Sequence, residues 1–330
     1  KTLVMSNIVD AYGNVPYFDA LKIALQKDTL NYTTRYDDMK LIYADMFALL
    51  EDANAAFVKA EELKNSGEIP QTDFSALCDY MYEGNVEKWR RLGNSLYLRL
   101  LMRAAMKVEE EGGVMDMSGT EHPDFSIVNK IAELYDCFNS GSGDYPLMRD
   151  RKDAAVVGFS NSNSALYTPF YAVTSGNWNS VIACETLVNE MYNAKKGLAD
   201  PRYYYYFTKP LGAPTQLFKS NLDAFLAKNV SAAGNSKVGR YPNGNSGQIG
   251  NLKNADHYAL MNYSELLFIF AEAGQRGWLN ISYPVVKKLY LEAVTESALE
   301  WNTTESAGSE DMTKFIGILS DEIEADNALE

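Results

Sequence analysis

Side chains able to do covalent chemistry are sparse in this sequence, and none stands in a recognisable catalytic spacing. The two histidines, His122 and His257, lie beside polar stretches and far apart, so each reads as a surface or hydrogen-bonding residue. No G-x-S-x-G, H-E-x-x-H or phosphate-cradling glycine loop occurs. Carboxylates are plentiful, and a glycoside hydrolase needs only two of them converging in one cleft. Convergence is a property of the fold and cannot be read here. Asp144, Asp150 and Asp153 lack the Asp-x-Asp spacing of a calcium loop and read as parts of a solvated segment. Cys78, Cys137 and Cys184 are odd in number and without C-x-x-C spacing, which argues against a disulfide framework or a zinc site. Cys137 and Cys184 fall in apolar helical patterns and read as buried free thiols. No cofactor or metal is implied.

Binding is a better prospect than catalysis. Sugars dock their C–H faces on Tyr and Trp rings while polar groups take the hydroxyls, and Asn139–Asn179 supplies both kinds of group. Tyr167, Tyr171 and Trp178 are the stacking candidates; Asn161, Asn163, Asn177 and Arg149 are the hydrogen-bonding ones. Trp178, between Asn177 and Asn179 and close after Gly176, is the least core-like of the rings. The competing reading is that these rings pin the segment to its scaffold. Arg99 and Arg103, one helical turn apart, with Arg90 and Arg91 earlier, could clamp an acidic ligand. Pairing with carboxylates of adjacent helices, or covering apolar surface, is the commoner role of such residues and the preferred reading. Glu265 and Glu272 read as holding their helix against an arginine of a neighbouring one. Trp278 reads as structural.

These residues need positioning, and the periodicity supplies mostly helices. Thr34–Leu63 keeps one apolar face turning until Asn65-Ser66-Gly67 stops it. Asn85 is placed to cap a Glu87–Glu111 helix that Gly112-Gly113 ends. Pro123–Cys137, Asn177–Ala194, Tyr258–Gly274, Pro284–Trp301 and Glu310–Ala325 follow, the fourth and third joined as a helical hairpin by the Gly277–Ser282 turn. Ala273-Gly274 leaves room for a close neighbour. Strand content is expected to be low, with Ala154–Phe159 and Tyr203–Thr208 the runs that alternate suitably. Two long polar stretches, Asn139–Asn179 and Lys209–Asp256, are the unusual feature, because connections of that length are rare in a compact domain unless they fold on themselves or bind something.

At 330 residues with 46% hydrophobic and 22% charged residues, the chain can bury a large core. The 22 tyrosines are an excess that suits both core packing and ligand faces. A net charge of −14 excludes nucleic acid as the natural partner and disfavours adhesion to an anionic membrane. No run approaches the roughly 20 apolar residues of a membrane-crossing helix.

Several phrases carry a family resemblance. Glu87–Arg103 (EKWRRLGNSLYLRLLMR) and Tyr263–Leu279 (YSELLFIFAEAGQRGWL) resemble signatures of the SusD/RagB nutrient-binding lipoproteins. Tyr12–Ala20 (YGNVPYFDA), Asp200–Phe207 (DPRYYYYF) and Tyr290–Trp301 (YLEAVTESALEW) add to them, in family order from Asp10 to about Trp301. The resemblance is to the SusD-like branch. It implies a mostly α-helical SusD-like domain over 1–330, with tetratricopeptide-type helix pairs mainly in 1–138 and 255–330. The Thr34–Leu63 and Glu87–Glu111 helices fit one such pair, and the first pair of the usual array is expected to be partly missing. Residues 139–254 would be the loop-rich, ligand-facing part.

The resemblance further implies a surface-exposed outer membrane lipoprotein that binds a nutrient, an oligosaccharide first of all, without enzymatic activity. It would work with a SusC-type TonB-dependent transporter in glycan uptake. A membrane attachment would come only through an N-terminal lipid anchor. Neither a signal peptide nor a lipid-attachment cysteine opens this chain, so Lys1 is expected to mark a trimmed start, and the far end is expected to be short as well. A peptide-binding member of the same family and a helical carbohydrate-active enzyme are the alternatives. A third is a transporter subunit with negligible ligand affinity of its own.

Overall fold

The computed structural model describes residues 1–20, 34–68, 79–110, 115–116, 124–158, 191–193, 198–202, 207–208, 237–238, 257–301 and 310–327. Helix dominates them. Met39–Asn65 (α2) and Val86–Glu110 (α3) are the two longest helices, preceded by Thr2–Tyr12 (α1). Ile127–Ser140 (α4), Tyr263–Gln275 (α5), Tyr283–Trp301 (α6) and Glu310–Asn327 (α7) complete the set among the described residues.

The strands are short antiparallel pairs. Met115–Asp116 (β1) pairs with Asp124–Phe125 (β2), and Ala155–Gly158 (β3) with the later strand His257–Met261 (β8). Tyr192–Asn193 (β4) pairs with Leu198–Ala199 (β5), and Phe207–Thr208 (β6) with Lys237–Val238 (β7). The mostly helical architecture is the one the periodicity predicts, with strand at Ala155–Gly158 inside the Ala154–Phe159 run and at Phe207–Thr208 at the end of the Tyr203–Thr208 run, whose residues 203–206 lie outside the described residues.

Several boundaries depart from expectation, each for a local reason. α2 starts at Met39, five residues later than predicted, because the two aspartates before it are otherwise engaged. The Asp38 side chain caps the helix by accepting from Lys40 N, and Asp37 Oδ2 accepts from the backbone of Tyr17 and Phe18. α4 starts at Ile127 rather than Pro123, since Asp124–Phe125 is taken by the β1 pairing and Ser126 is the cap, accepting from Asn129 N. Tyr258–Met261 is strand rather than the opening of a helix, paired along β3 with a register irregularity at Ala155/Val156. Tyr192–Asn193 is strand where the Asn177–Ala194 helix was expected to close; residues 177–190 of that segment lie outside the described residues. α1 has no counterpart in the sequence reading.

The chain divides into two compact units. The first comprises Lys1–Ala154 with Leu266–Val286, the second Ala155–Glu265 with Lys287–Glu330. In the first, α2 and α3 run antiparallel: Glu51 meets Tyr97, and Asn54 meets Arg90 and Asn94. Phe47, Tyr97 and Phe125 form an aromatic cluster with ring centroids 5.6–6.4 Å apart. Ile42, Met46, Leu98, Leu100, Leu101, Ile127, Ile131 and Leu134 are buried around it. Phe270 of α5 packs on Tyr135 and Phe138 of α4 at 5.2 and 5.0 Å. A Cβ on Gly274 would stand 2.7 Å from Ile281 Cδ1 and 2.8 Å from Val286 Cγ2, so the predicted close approach is real. The Trp278 backbone N–H returns to Ala273 O and the Arg276 guanidinium lies over its ring, consistent with a structural role.

In the second unit, Asn262 and Ser264 both donate to the Glu300 carboxylate of α6. Arg202 holds Asp200 and also donates to Ser297 Oγ. Lys287 of α6 pairs with Glu324 of α7.

Candidate binding site

The structure places one of the sequence-derived ligand candidates, Arg149. Asn161, Asn163, Tyr167, Tyr171, Asn177 and Trp178 lie outside the described residues. Arg149 closes a strap, Asp144–Arg149, that has no secondary structure of its own yet is bonded to the helix pair along its length. Asp144 O accepts from Asn54 Nδ2 (3.0 Å) and Arg90 Nη2 (2.8 Å). Pro146 O accepts from Asn94 Nδ2 (2.9 Å), and Met148 N donates to Ser95 Oγ (3.1 Å). Arg149 N donates to Asp153 Oδ2 (3.0 Å), an oxygen that also accepts from Arg91 Nη1 (2.8 Å). Backbone groups that a helix or sheet would have satisfied are met here by side chains from two helices.

Tyr145 carries the deepest attachment. Its hydroxyl donates to Glu51 Oε2 at 2.6 Å, while Tyr97 OH donates to Glu51 Oε1 at 2.9 Å. Lys130 Nζ of α4 reaches Glu51 Oε1 at 2.8 Å and Glu133 Oε2 at 2.9 Å, and lies 3.8 Å from the centre of the Tyr145 ring. Burial alone would raise the Glu51 carboxyl, but hydrogen bonds from Lys130 and Tyr145 and the Lys130 charge outweigh it and hold it below its ordinary value. Burial works against the Lys130 ammonium, and Glu51 more than restores it, so its pKa is raised. The Tyr145 phenol is pushed up to about 12, first by burial and then by the bond to Glu51. The pair therefore stays charged and paired at any ordinary pH.

Downstream, Asp150 caps a short 3-10 turn, Arg151–Asp153, by accepting from Lys152 N. The Asp153 carbonyl accepts from Tyr82 OH, and its carboxylate is taken by Arg91. These aspartates are thus employed in the backbone, and no group of three or more His, Cys, Asp or Glu able to hold a metal ion occurs among the described residues.

The arginines of α3 resolve toward structure. Arg90 pairs with Glu61, Arg91 with Asp153 and Glu87, and Arg103 with Asp10 of α1; Arg99 is buried. Glu272 pairs with Arg276, one residue past the end of its own helix, a correction to the expected partner on a neighbouring one; four-residue spacing brings that partner within reach. Sequence reasoning missed Glu51, Asn54, Asn94, Ser95 and Lys130. The signal available was Asn94-Ser95, a polar pair inside the apolar run of α3.

Arg149 is exposed and lines a shallow cleft with Cys137, Phe138, Gly141, Ser142 and Leu147. The cleft has about 290 Å³ of free space, its open mouth included. Gly141 caps α4 in the left-handed conformation. At Gly143, with φ +123°, a Cβ would stand 2.7 Å from Cys137 Sγ, so only glycine brings the strand of chain this close. Cys137 is half-buried rather than buried, because it sits on the wall of this cleft. Cys78 and Cys184 lie outside the described residues.

Residues 1–325 match the model of a family, SusD-like, described as starch-binding and associating with the outer membrane. The chain belongs to this SusD-like family. A SusD homologue from Bacteroides fragilis NCTC 9343 superposes with a TM-score of 0.60 at 20% identity, covering 94% of this chain and 59% of its own. A second from the same strain gives 0.64 at 18% identity, with 96% and 61% covered. A chitin-binding SusD homologue from Flavobacterium johnsoniae gives 0.60 at 19% identity, with 92% and 51% covered. Identities this low establish the SusD-like fold. The chain spans between about half and three-fifths of the length of these solved relatives. No curated protein matches it significantly.

Proposed function

We propose that this SusD-like chain binds a nutrient glycan at the cell surface and delivers it to a SusC-type TonB-dependent transporter in the outer membrane. The observation that carries the reading is the family match over residues 1–325, whose description is starch binding at the outer membrane. The chitin-binding description of the Flavobacterium johnsoniae homologue extends the same ligand chemistry to another polysaccharide. In this reading the chain acts as one SusD-like domain over residues 1–330. Residues 139–254 face the ligand, and the strap bonded to α2 and α3 fixes the start of that segment. Tyr167, Tyr171 and Trp178 stack on sugar rings, and Asn161, Asn163, Asn177 and Arg149 take hydroxyls. A lipid anchor holds the protein to the membrane, and no glycosidic bond is cleaved.

Calorimetry against maltooligosaccharides, chitooligosaccharides and a panel of plant glycans tests this. At least one glycan is expected to bind, and Trp178→Ala to weaken it about tenfold or more, the loss of one stacked ring. No binding across the panel, or steady release of reducing sugar from a bound glycan, would overturn the reading.

A further inference from the structure

Most arginines among the described residues are spoken for. Arg90, Arg91, Arg103, Arg202 and Arg276 each reach a carboxylate: Glu61, Asp153 with Glu87, Asp10, Asp200 and Glu272 respectively. With 44 acidic residues against 30 basic ones, acids are in excess and a cation on the surface readily finds one. Arg149 has not. Among the described residues its guanidinium makes one bond, Nη2 to the carbonyl of Gly141 at 2.9 Å, and no carboxylate lies within ion-pair distance.

That single bond fixes the direction of the group and leaves most of its five N–H donors open. The backbone beneath it is fixed too, through Arg149 N to Asp153 and Asp153 to Arg91. A guanidinium whose position is set before binding loses little freedom when an anion arrives. The group opens on the shallow cleft, whose other features are the half-buried ring of Phe138 and the hydroxyl-bearing, glycine-flanked turn at Ser142. Phe138 is steadied from behind by Phe270, 5.0 Å away. A ring wall, a fork of donors and a small polar turn on one shallow, open cleft suit the carboxylate-bearing edge of one monosaccharide unit.

We infer that Arg149 and the cleft beside Phe138 form a subsite for a carboxylated sugar, so that the glycan taken by this chain contains uronic-acid-type residues. The inference rests on the glycan-binding reading above and names its substrate class. An acidic peptide offers the same anion, but the starch-binding description of the family favours a sugar, and the peptide is one arm of the test.

The test uses calorimetry on the whole chain with three probes: trigalacturonate, the same trisaccharide with its carboxylates reduced to alcohols, and a tri-glutamate peptide. Trigalacturonate is expected to bind at least fivefold more tightly than its reduced counterpart, the scale of one preorganised charged hydrogen-bonded pair near the surface. Arg149→Gln is expected to erase that ratio by weakening trigalacturonate at least fivefold more than it weakens the reduced trisaccharide. The wild-type ratio needs no variant, so the test stands even if Arg149→Gln folds poorly. Equal binding of acidic and reduced sugars, or preferential binding of tri-glutamate, overturns the inference and leaves the glycan-binding reading standing. Failure of both sugars and of the neutral glycan panel overturns the two together.

Discussion

Asp79 shows how much one carboxylate can organise. Its side chain accepts from Trp89 Nε1 (2.8 Å) and from the backbone N–H groups of Gly84, Met81 and Tyr82 (2.9–3.1 Å). It thereby fixes the turn in which Glu83 adopts a positive φ of 53° immediately before α3. Burial opposes its ionisation, but the indole and backbone donors win and hold the carboxyl down to about 2. A folded-state pKa below the unfolded one adds stability that is complete above about 4 and disappears as pH falls toward 2. Urea unfolding between pH 7 and pH 2 is therefore expected to show Asp79→Asn less stable than the parent by roughly 1 kcal/mol at neutral pH, after allowance for solvent screening. The gap should close in acid. A constant gap across that range would mean that the turn depends on the shape of the side chain and not on its charge.

Between elements, the Glu51–Lys130 pair is the joint where α2, α3, α4 and the strap meet, and it separates two kinds of attachment. Removing the Tyr145 hydroxyl (Tyr145→Phe) deletes one hydrogen bond to a charged group and is expected to cost about 1–2 kcal/mol in denaturant unfolding. Lys130→Met strands the Glu51 carboxylate, which is mostly buried, and is expected to cost more, about 2–4 kcal/mol. Pairing Lys130→Met with Glu51→Leu should recover much of that loss, since neither charge is then left alone. If the double variant is worse than the sum of its parts, the network is specifying the fold through packing. The hairpin of α5 and α6 makes a second prediction. Gly274→Ala sets a methyl against Ile281 and Val286 and should lower stability by about 1–3 kcal/mol despite the better helix propensity of alanine. The hairpin was legible in advance because Ala273-Gly274, the RGW turn and Pro284 all point the same way. α1 was not legible. Lys1 caps it without a side-chain hydrogen bond, and the apolar stripe of Val4 and Tyr12 faces solvent while Thr2, Ser6 and Val9 are buried, so the periodicity there marks the wrong face. β8 was misread because a short apolar run fits helix and strand equally until its partner, β3, is known.

Across the whole molecule, the family was readable from five phrases, three of which (Glu87–Arg103, Tyr263–Leu279 and Tyr290–Trp301) fall mainly on α3, α5 and α6. The strap was not readable, since its bonds join Asn54, Asn94 and Ser95 to main-chain carbonyls and an N–H, and a backbone partner leaves no mark on the sequence at its own position. Charge is a property of the same scale. At −14 the chain repels itself, and that repulsion acts over distances that salt shortens from about 30 Å at 10 mM to about 8 Å at 150 mM. The ion pairs that hold elements together, Arg91–Asp153 and Lys130–Glu51, are hydrogen-bonded and largely shielded, so salt weakens them less than it relieves the long-range repulsion. Exposed pairs such as Lys107–Glu110 contribute little to begin with. Thermal unfolding at pH 7 is accordingly expected to move up by a few degrees when sodium chloride rises from 10 to 150 mM. A downward shift would mean that exposed pairs outweigh the net charge. The stability of the scaffold would then be set at its surface, and the shielded joint beneath the strap would lose its place as the main electrostatic support.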